Sequence, residues 1–313
     1  MSEPDHDKAP PSDSSGLAAG QSVGGGRYLL KKILGQGGMG VVWLAHDKRL
    51  RELVALKFLP PQIAFDPEAL EDLRRETLRS RKLSHPNIIR IHDLHEGEGE
   101  RPFITMEFVD GPNLHFLRAS KPGRVLSWKF LAPILRQLCA ALEYAHEEKV
   151  VHRDLKPANL MLDGNGRLKL ADFGLACVVH DSLSRLSGGS SAGTLDFMSP
   201  QQADGKKAQI SDDVYALGAS IYDLLTSKPP FYSGDVAYQL RNTLPEPMAQ
   251  RLADLELANE IPPEVAALVM ACLAKDSAQR PPNARVILDW LDAAANAPAA
   301  PPMPSFKIGR AHV

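Results

Sequence analysis

Cysteine is scarce in this chain: Cys139, Cys177 and Cys272 are the only three among 313 residues. An odd count without paired spacing fits reduced thiols in a cytosol better than a disulfide framework. Long hydrophobic runs are lacking too. No apolar stretch approaches the roughly 20 residues of a membrane helix, and the polar N-terminus has no signal-peptide core. Neither charge dominates. The 36 basic and 38 acidic residues leave a formal net charge of −2, which removes the footprint of a dedicated nucleic-acid binder but leaves room for a phosphate held by a few local residues. No internal repeat is visible. His46, His85, His92, His95, His115, His146 and His180 show no metal-ligand spacing with cysteine, so no zinc site is expected.

Apolar residues at 44% and charged residues at 24% place the chain among ordinary globular proteins. At about 150 residues per domain, its length predicts two domains or one domain of two lobes. Residues 1–27, rich in Ser, Pro, Asp and Gly and ending near Gly24-Gly25-Gly26, read as a disordered tail. Residues 28–110 are strand-like, with β-rich runs at Val41-Val42-Trp43-Leu44 and Leu53-Val54-Ala55-Leu56. One helix interrupts them, from Pro67 to Leu83, on a stripe of Leu70, Leu73, Thr77, Leu78 and Leu83. Residues 111–292 turn helical: Trp128 to Glu148 carries Leu131, Ile134, Leu135, Leu138, Leu142 and Tyr144 on one side, and Asp213 to Thr226 and Pro263 to Ala274 are similar. Residues 293–313 form an Ala/Pro linker whose last seven, Lys307 to Val313, resemble a translated sequencing adapter and are expected to be non-native.

The first chemical motif is Gly35-Gln36-Gly37-Gly38-Met39-Gly40. Alone it fits a dinucleotide fold, a nucleotide-covering hairpin or a tight turn. Val41, Val42 and Trp43 continue as strand instead of helix, so the glycines read as a hairpin tip where backbone N–H groups can approach phosphate oxygens. Lys57 follows on the next strand. A buried-strand lysine is costly unless its ammonium meets an anion, so it calls for a phosphate and a carboxylate. Glu76, on the following helix, is the chosen carboxylate; the alternative is that Glu68, Glu71 and Glu76 are all solvated helix charges.

The second cluster is more specific: Val151-His152-Arg153-Asp154-Leu155-Lys156-Pro157-Ala158-Asn159-Leu160, then Ala171-Asp172-Phe173-Gly174. With the glycine loop and Lys57, in this order and spacing, it resembles the protein kinase signature set, in wording close to the bacterial eukaryotic-like Ser/Thr kinases. The resemblance covers about Tyr28 to Asp292. It implies an α+β, two-lobed kinase fold: a small antiparallel-sheet lobe with one helix (28–110) and a larger helical lobe (111–292). It further implies transfer of the γ-phosphate of ATP, with Mg²⁺, to Ser or Thr hydroxyls of proteins in bacterial signalling.

In that reading Gly35, Gln36, Gly37, Gly38, Met39 and Gly40 cover the phosphates, and Lys57, held by Glu76, pairs the α and β phosphates. Val42 and Ala55 roof the adenine, Met106 is the gatekeeper, and the main chain of Glu107 and Val109 bonds the base. Asn159 and Asp172 offer oxygens suited to Mg²⁺. Asp154 orients the substrate hydroxyl and accepts its proton, and Lys156 steadies the γ-phosphate. Asp213 is expected to bond the catalytic-loop backbone, with His152 and Phe173 as packing residues.

The activation segment then runs from Asp172 to Gln201, with Ser184, Ser187, Ser190, Ser191 and Thr194 as phosphosite candidates for autophosphorylation, in trans across a homodimer among other routes. Two positions depart from the family. Ser199-Pro200-Gln201 stands where relatives end in Ala-Pro-Glu, so Arg280 meets a neutral side chain. Cys177 stands where a basic residue usually helps bind the loop phosphate, leaving Arg153 to do so; Cys177→Arg is expected to make activity depend more on autophosphorylation. A pseudokinase is disfavoured because Lys57, Asp154, Asn159 and Asp172 are all present. A nicotinamide or flavin oxidoreductase is excluded by the missing strand-helix alternation and ribose-binding acid after Gly40. Relatives commonly continue past the linker into a membrane helix and a sensor domain, so a cytoplasmic kinase domain of a membrane-anchored protein is the expected setting.

Overall fold

The computed structural model describes residues 16–38, 40–64, 66–97, 99–173 and 195–296. Of these, 16–81 and 90–108 form one compact unit, and 82–89, 109–173 and 195–296 form a second.

The first unit is built on a six-stranded sheet. Its strands in chain order are β1 (Ser22–Val23), β2 (Tyr28–Gly37), β3 (Gly40–Asp47), β4 (Glu52–Phe58), β5 (Ile91–His95) and β6 (Phe103–Glu107). They lie in the order β1-β2-β3-β4-β6-β5, every pair antiparallel. Side chains alternate between the faces of a strand, and one face packs Tyr28, Leu30, Val41, Trp43, Ala45, Val54, Leu56, Phe58 and Phe103 into a core. Between β4 and β5 come a single turn, α1 (Pro61–Ala64), and α2 (Pro67–Ser80). Asp66 caps α2, its carboxylate accepting from the amides of Glu68 and Ala69, and Pro67 occupies the first turn where no amide donor is missed.

Two expectations change here. The buried stripe of α2 is Ala69, Leu73, Glu76, Thr77 and Ser80, whereas Leu78 is 59% exposed. The segment expected as a disordered tail also reaches further into the fold than its composition suggests. Ser22 and Val23 pair with Leu29 and Tyr28, and the amides of Gly24 and Gly25 donate to the Glu100 carboxylate at 2.9 and 3.2 Å. The turn needs glycine, because Gly24 has φ +63° and a Cβ there would lie 2.8 Å from the Tyr28 ring.

The second unit is helical, with one small hairpin. Its elements are α3 (Leu114–Ala119), α4 (Trp128–Glu147), β7 (Leu160–Leu162), β8 (Leu168–Leu170), α5 (Pro200–Ala203), α6 (Ile210–Thr226), α7 (Val236–Asn242), α8 (Met248–Asp254), α9 (Pro263–Cys272) and α10 (Ala284–Asn296). The start or end of each helix read from the sequence lies within a few residues of the observed one. Leu131, Ile134, Leu135, Leu138 and Leu142 of α4 are buried in a core shared with α6, which is itself buried along almost its whole length. Gly218 allows α9 to approach α6 closely, since a Cβ there would lie 2.6 Å from Cys272 Cβ. Cys139 and Cys272 are buried free thiols, and burial pushes both above the usual thiol range. Among the described residues, no helix is long and apolar enough to cross a membrane, and no group of three or more His, Cys, Asp or Glu side chains is placed to hold a metal ion.

Candidate active site

In the first unit the glycine motif is a hairpin tip: Gly35 faces Val42, Gln36 faces Val41 and Gly37 faces Gly40. The glycines are not equivalent. Gly40 has φ +112° and a Cβ there would lie 2.0 Å from the Phe58 carbonyl oxygen, whereas Gly35, Gly37 and Gly38 have open space where a Cβ would be. Gly40 is therefore structural, and the other three leave room for a ligand to approach the backbone. Met39 lies outside the described residues.

Strand register gathers the remaining positions. Val42 pairs with Lys57, Lys57 with Ile104, and Ala55 with both Leu44 and Met106. Directly opposed residues of an antiparallel sheet share a face, so Val42, Ala55, Lys57 and Met106 lie together on the face opposite the Trp43 and Leu56 core. Lys57 is 4% exposed, so its ammonium is costly to hold without an anion nearby. The Glu107 amide donates to the Arg90 carbonyl at 2.9 Å. Glu76 separates from its neighbours: Glu68 and Glu71 are exposed, Glu76 is buried. Among the described residues its ion pair is with Arg79, at 3.4 Å, on the next turn of α2.

In the second unit the loop from His152 to Asn159 is fixed by Asp213 of α6. Its carboxylate accepts from the amides of His152 and Arg153 at 2.8 and 2.9 Å and pairs with His146 Nε2 at 2.8 Å. Burial alone would push the Asp213 carboxyl up; the His146 and backbone hydrogen bonds outweigh it and hold it below its usual value. The His152 ring is oriented at both nitrogens. Nδ1 accepts from the Asp154 amide at 3.2 Å, so Nε2 carries the proton that bonds the Ala171 carbonyl at 2.8 Å, and the ring packs on Phe173 with centroids 4.6 Å apart.

Asp154, 8% exposed, is gripped from two sides. Lys156 Nζ lies 2.9 Å from Oδ1 and 2.8 Å from Oδ2, and Asn159 Nδ2 donates to the Asp154 carbonyl at 2.7 Å and to Oδ2 at 3.0 Å. Those two bonds set the orientation of the Asn159 amide and leave its Oδ1 as a hard oxygen donor. Arg153 and Asp172 both have positive φ, 68° and 61°, an uncommon backbone state that clusters at functional sites. Val109 is buried in this unit, next to Gly111, where a Cβ would lie 1.9 Å from the Leu162 carbonyl oxygen.

Arg280 is 1% exposed and finds four neutral acceptors: the carbonyls of Ala274, Ser211 and Lys275, and Gln201 Oε1 at 2.6 Å. The neutral Gln201 thus accepts from Arg280, and its amide also donates to the Lys275 carbonyl at 2.8 Å. Sequence reasoning missed Ser199, Gln202 and Asp212, which join α5 to the loop from His152 to Asn159. The Ser-Pro before a helix signals an N-cap, but nothing in the sequence marks Gln202. Gly174, Cys177, His180, Ser184, Ser187, Ser190, Ser191 and Thr194 lie outside the described residues, as does the stretch from Lys307.

A family model described as protein kinase domain matches residues 28–290. The chain is 39% identical over 257 residues to the probable serine/threonine-protein kinase SCO3848 of Streptomyces coelicolor, covering 80% of this chain and 37% of that protein. To the serine/threonine-protein kinase PknB of Mycolicibacterium smegmatis it is 37% identical over 265 residues, covering 81% and 40%. It thus spans about two fifths of the length of these curated relatives. Its fold is similar to the crystal structure of the Mycobacterium tuberculosis PknI kinase domain, with a TM-score of 0.70 at 27% identity over 90% of this chain and all of that one. The antiparallel-sheet unit, the helical unit and the family match agree: the chain belongs to the protein kinase domain family.

Proposed function

We propose that this domain transfers the γ-phosphate of ATP to serine and threonine hydroxyls of proteins. The observation that carries the reading is the Asp154 carboxylate, gripped by Lys156 and Asn159 on a loop whose amides Asp213 holds. Phosphoryl transfer asks a protein mainly for positioning and charge stabilisation, and such a constrained carboxylate suits the orientation of a nucleophile. The hydroxyl oxygen forms the new bond to Pγ, the bond from Pγ to the β–γ bridging oxygen breaks, ADP leaves with that electron pair, and the hydroxyl proton passes to Asp154. Lys156 has further N–H donors for the γ-phosphate, and its place two residues after the aspartate favours Ser/Thr over Tyr.

For the nucleotide, Val42, Ala55 and Met106 offer an apolar face beside Lys57, and the open positions at Gly35, Gly37 and Gly38 suit backbone contact with phosphates. The donor set fits a divalent cation: Asn159 Oδ1 and the Asp172 carboxylate are hard oxygens of the kind Mg²⁺ takes, and the ion would neutralise charge on the β and γ phosphates. We further propose Glu76 as the partner of Lys57 once nucleotide is bound, the main chain of Glu107 and Val109 as the base contact, and Ser184, Ser187, Ser190, Ser191 and Thr194 as autophosphorylation sites reached in trans. Residues 28–292 are then the kinase domain, and a membrane-anchored whole protein is the setting we favour. The four polar residues a pseudokinase most often lacks, Lys57, Asp154, Asn159 and Asp172, favour turnover over mere nucleotide binding. Phosphate transfer from labelled ATP to a general basic protein acceptor tests the reading; a chain that binds ATP and transfers nothing would be a pseudokinase.

A further inference from the structure

We propose that Gln202 is a positioning residue for Asp154, an inference that rests on the phosphotransfer reading above. Arg153, immediately before Asp154, has φ +68°, a backbone state that a non-glycine residue keeps only where its surroundings over-determine it. Its amide donates to Asp213 Oδ1 at 2.9 Å, and its carbonyl accepts from Gln202 Nε2 at 2.7 Å. That carbonyl belongs to the peptide group whose N–H is Asp154's own, and this N–H donates to His152 Nδ1 at 3.2 Å. The peptide plane from which Asp154 departs is therefore fixed at both edges: by His152 on the amide side and by Gln202 on the carbonyl side.

Gln202 is itself anchored. Its amide donates to Ser199 Oγ at 3.0 Å, and that hydroxyl donates to Asp212 Oδ1 at 2.5 Å. Asp212 and Asp213 are neighbours on α6, so a ring closes through Asp213, Arg153, Gln202, Ser199 and Asp212, with Ser199 and both acids almost fully buried. The same Asp212 caps α6, accepting the Gln209 amide at 2.8 Å through Oδ2. Ser199, Pro200 and Gln201 close the stretch that the kinase resemblance marks as the activation segment, and Gln202 follows it directly. A displacement of α5 thus reaches the catalytic aspartate through one side-chain hydrogen bond.

Chemistry selects the residue type. The partner is a carbonyl, so position 202 must donate; glutamate matches glutamine in size but as a carboxylate has no hydrogen to give. The test compares wild type with Gln202→Glu and Gln202→Ala, the second guarding against repulsion between the new carboxylate and the carbonyl. Both variants are expected to lower kcat about tenfold, close to the order of one hydrogen bond, with KM for ATP within about twofold of wild type. Amide hydrogen exchange in peptides spanning 150–158 is expected to speed up at Asp154 in both variants, a readout that needs no turnover. Wild-type kcat and wild-type exchange in both variants would overturn the proposal, as would a lower melting temperature with neither of those changes. An inactive wild type would overturn the phosphotransfer reading, and the exchange comparison would still decide whether Gln202 holds the Asp154 peptide.

Discussion

Arg280 Nη2 donates to Gln201 Oε1 at 2.6 Å, and Gln201 Nε2 donates onward to the Lys275 carbonyl at 2.8 Å. An amide can do both; a carboxylate at the same place gains charge-assisted pairing with the guanidinium but loses the second bond. The departure from Ala-Pro-Glu is therefore not a simple loss. Gln201→Leu removes both bonds, leaving one Arg280 N–H without its acceptor while the Lys275 carbonyl keeps Arg280 as a donor. With an unsatisfied buried polar group costing about 1–3 kcal/mol, and with Arg280 keeping its bonds to three carbonyls, the variant is expected to lose about 1–3 kcal/mol in urea unfolding. A loss below about 0.5 kcal/mol, the usual range of an indifferent surface change, would contradict this account.

The same corner carries a pH dependence. Burial, then the neighbouring Arg280, pull the Lys275 ammonium down from 10.5 to about 8, while its Nζ bonds the carbonyls of Gln239 and Leu240. Below pH 8 both folded and unfolded chains hold this proton. Between pH 8 and 10.5 the unfolded chain holds more of it, so this group makes stability rise with pH across that window. Cys272 and Tyr222, each raised to about 12 by burial, act in the opposite sense in the alkaline range, so the quantity to read is the difference between wild type and Lys275→Met. That difference should move in favour of wild type as pH rises from 8 to 10.5. A flat difference would show that Lys275 titrates normally.

At the glycine hairpin two substitutions should separate structure from ligand contact. Gly40→Ala drives a Cβ to 2.0 Å from the Phe58 carbonyl oxygen at a φ of +112°, while Gly38→Ala meets open space. The first is expected to lower the melting temperature, and the second to leave it unchanged and raise KM for ATP. Equal melting temperatures for the two variants would mean that the β3–β4 approach is looser than described.

Much of the candidate site was legible because the loop residues proposed to act in the chemistry are written contiguously, as in His152 to Asn159, and because a period of two along each strand puts Val42, Ala55, Lys57 and Met106 on one face. The sequence was less informative where polar residues do structural work at long range. The Glu100 carboxylate orders Gly24 and Gly25 from about 75 positions away, and Gln202 reaches Arg153 across 49. Neither leaves a local pattern. In α2 the stripe placed Leu73 and Thr77 correctly but misled elsewhere, because Ala69, Glu76 and Ser80 occupy the buried face and Leu78 does not.

Arg79 competes for Glu76 with the lysine proposed as its working partner. The observed pair is 3.4 Å long and Arg79 is 63% exposed, which limits its worth to about 1 kcal/mol. Arg79→Ala is accordingly expected to lower KM for ATP or raise kcat by no more than about fivefold, the factor that corresponds to about 1 kcal/mol. A fall in kcat/KM would show that Arg79 supports the site instead of competing for it.

The central claim, that Asp154 accepts the hydroxyl proton in phosphate transfer to Ser or Thr, is tested most directly by following γ-labelled ATP with wild type and Asp154→Asn side by side. Wild type should label a basic protein acceptor on phosphoserine and phosphothreonine. The variant should turn over about 10²- to 10⁴-fold more slowly, the usual contribution of a positioned acid or base, with nucleotide affinity nearly intact. Label on tyrosine, or equal rates for the two proteins, would contradict it.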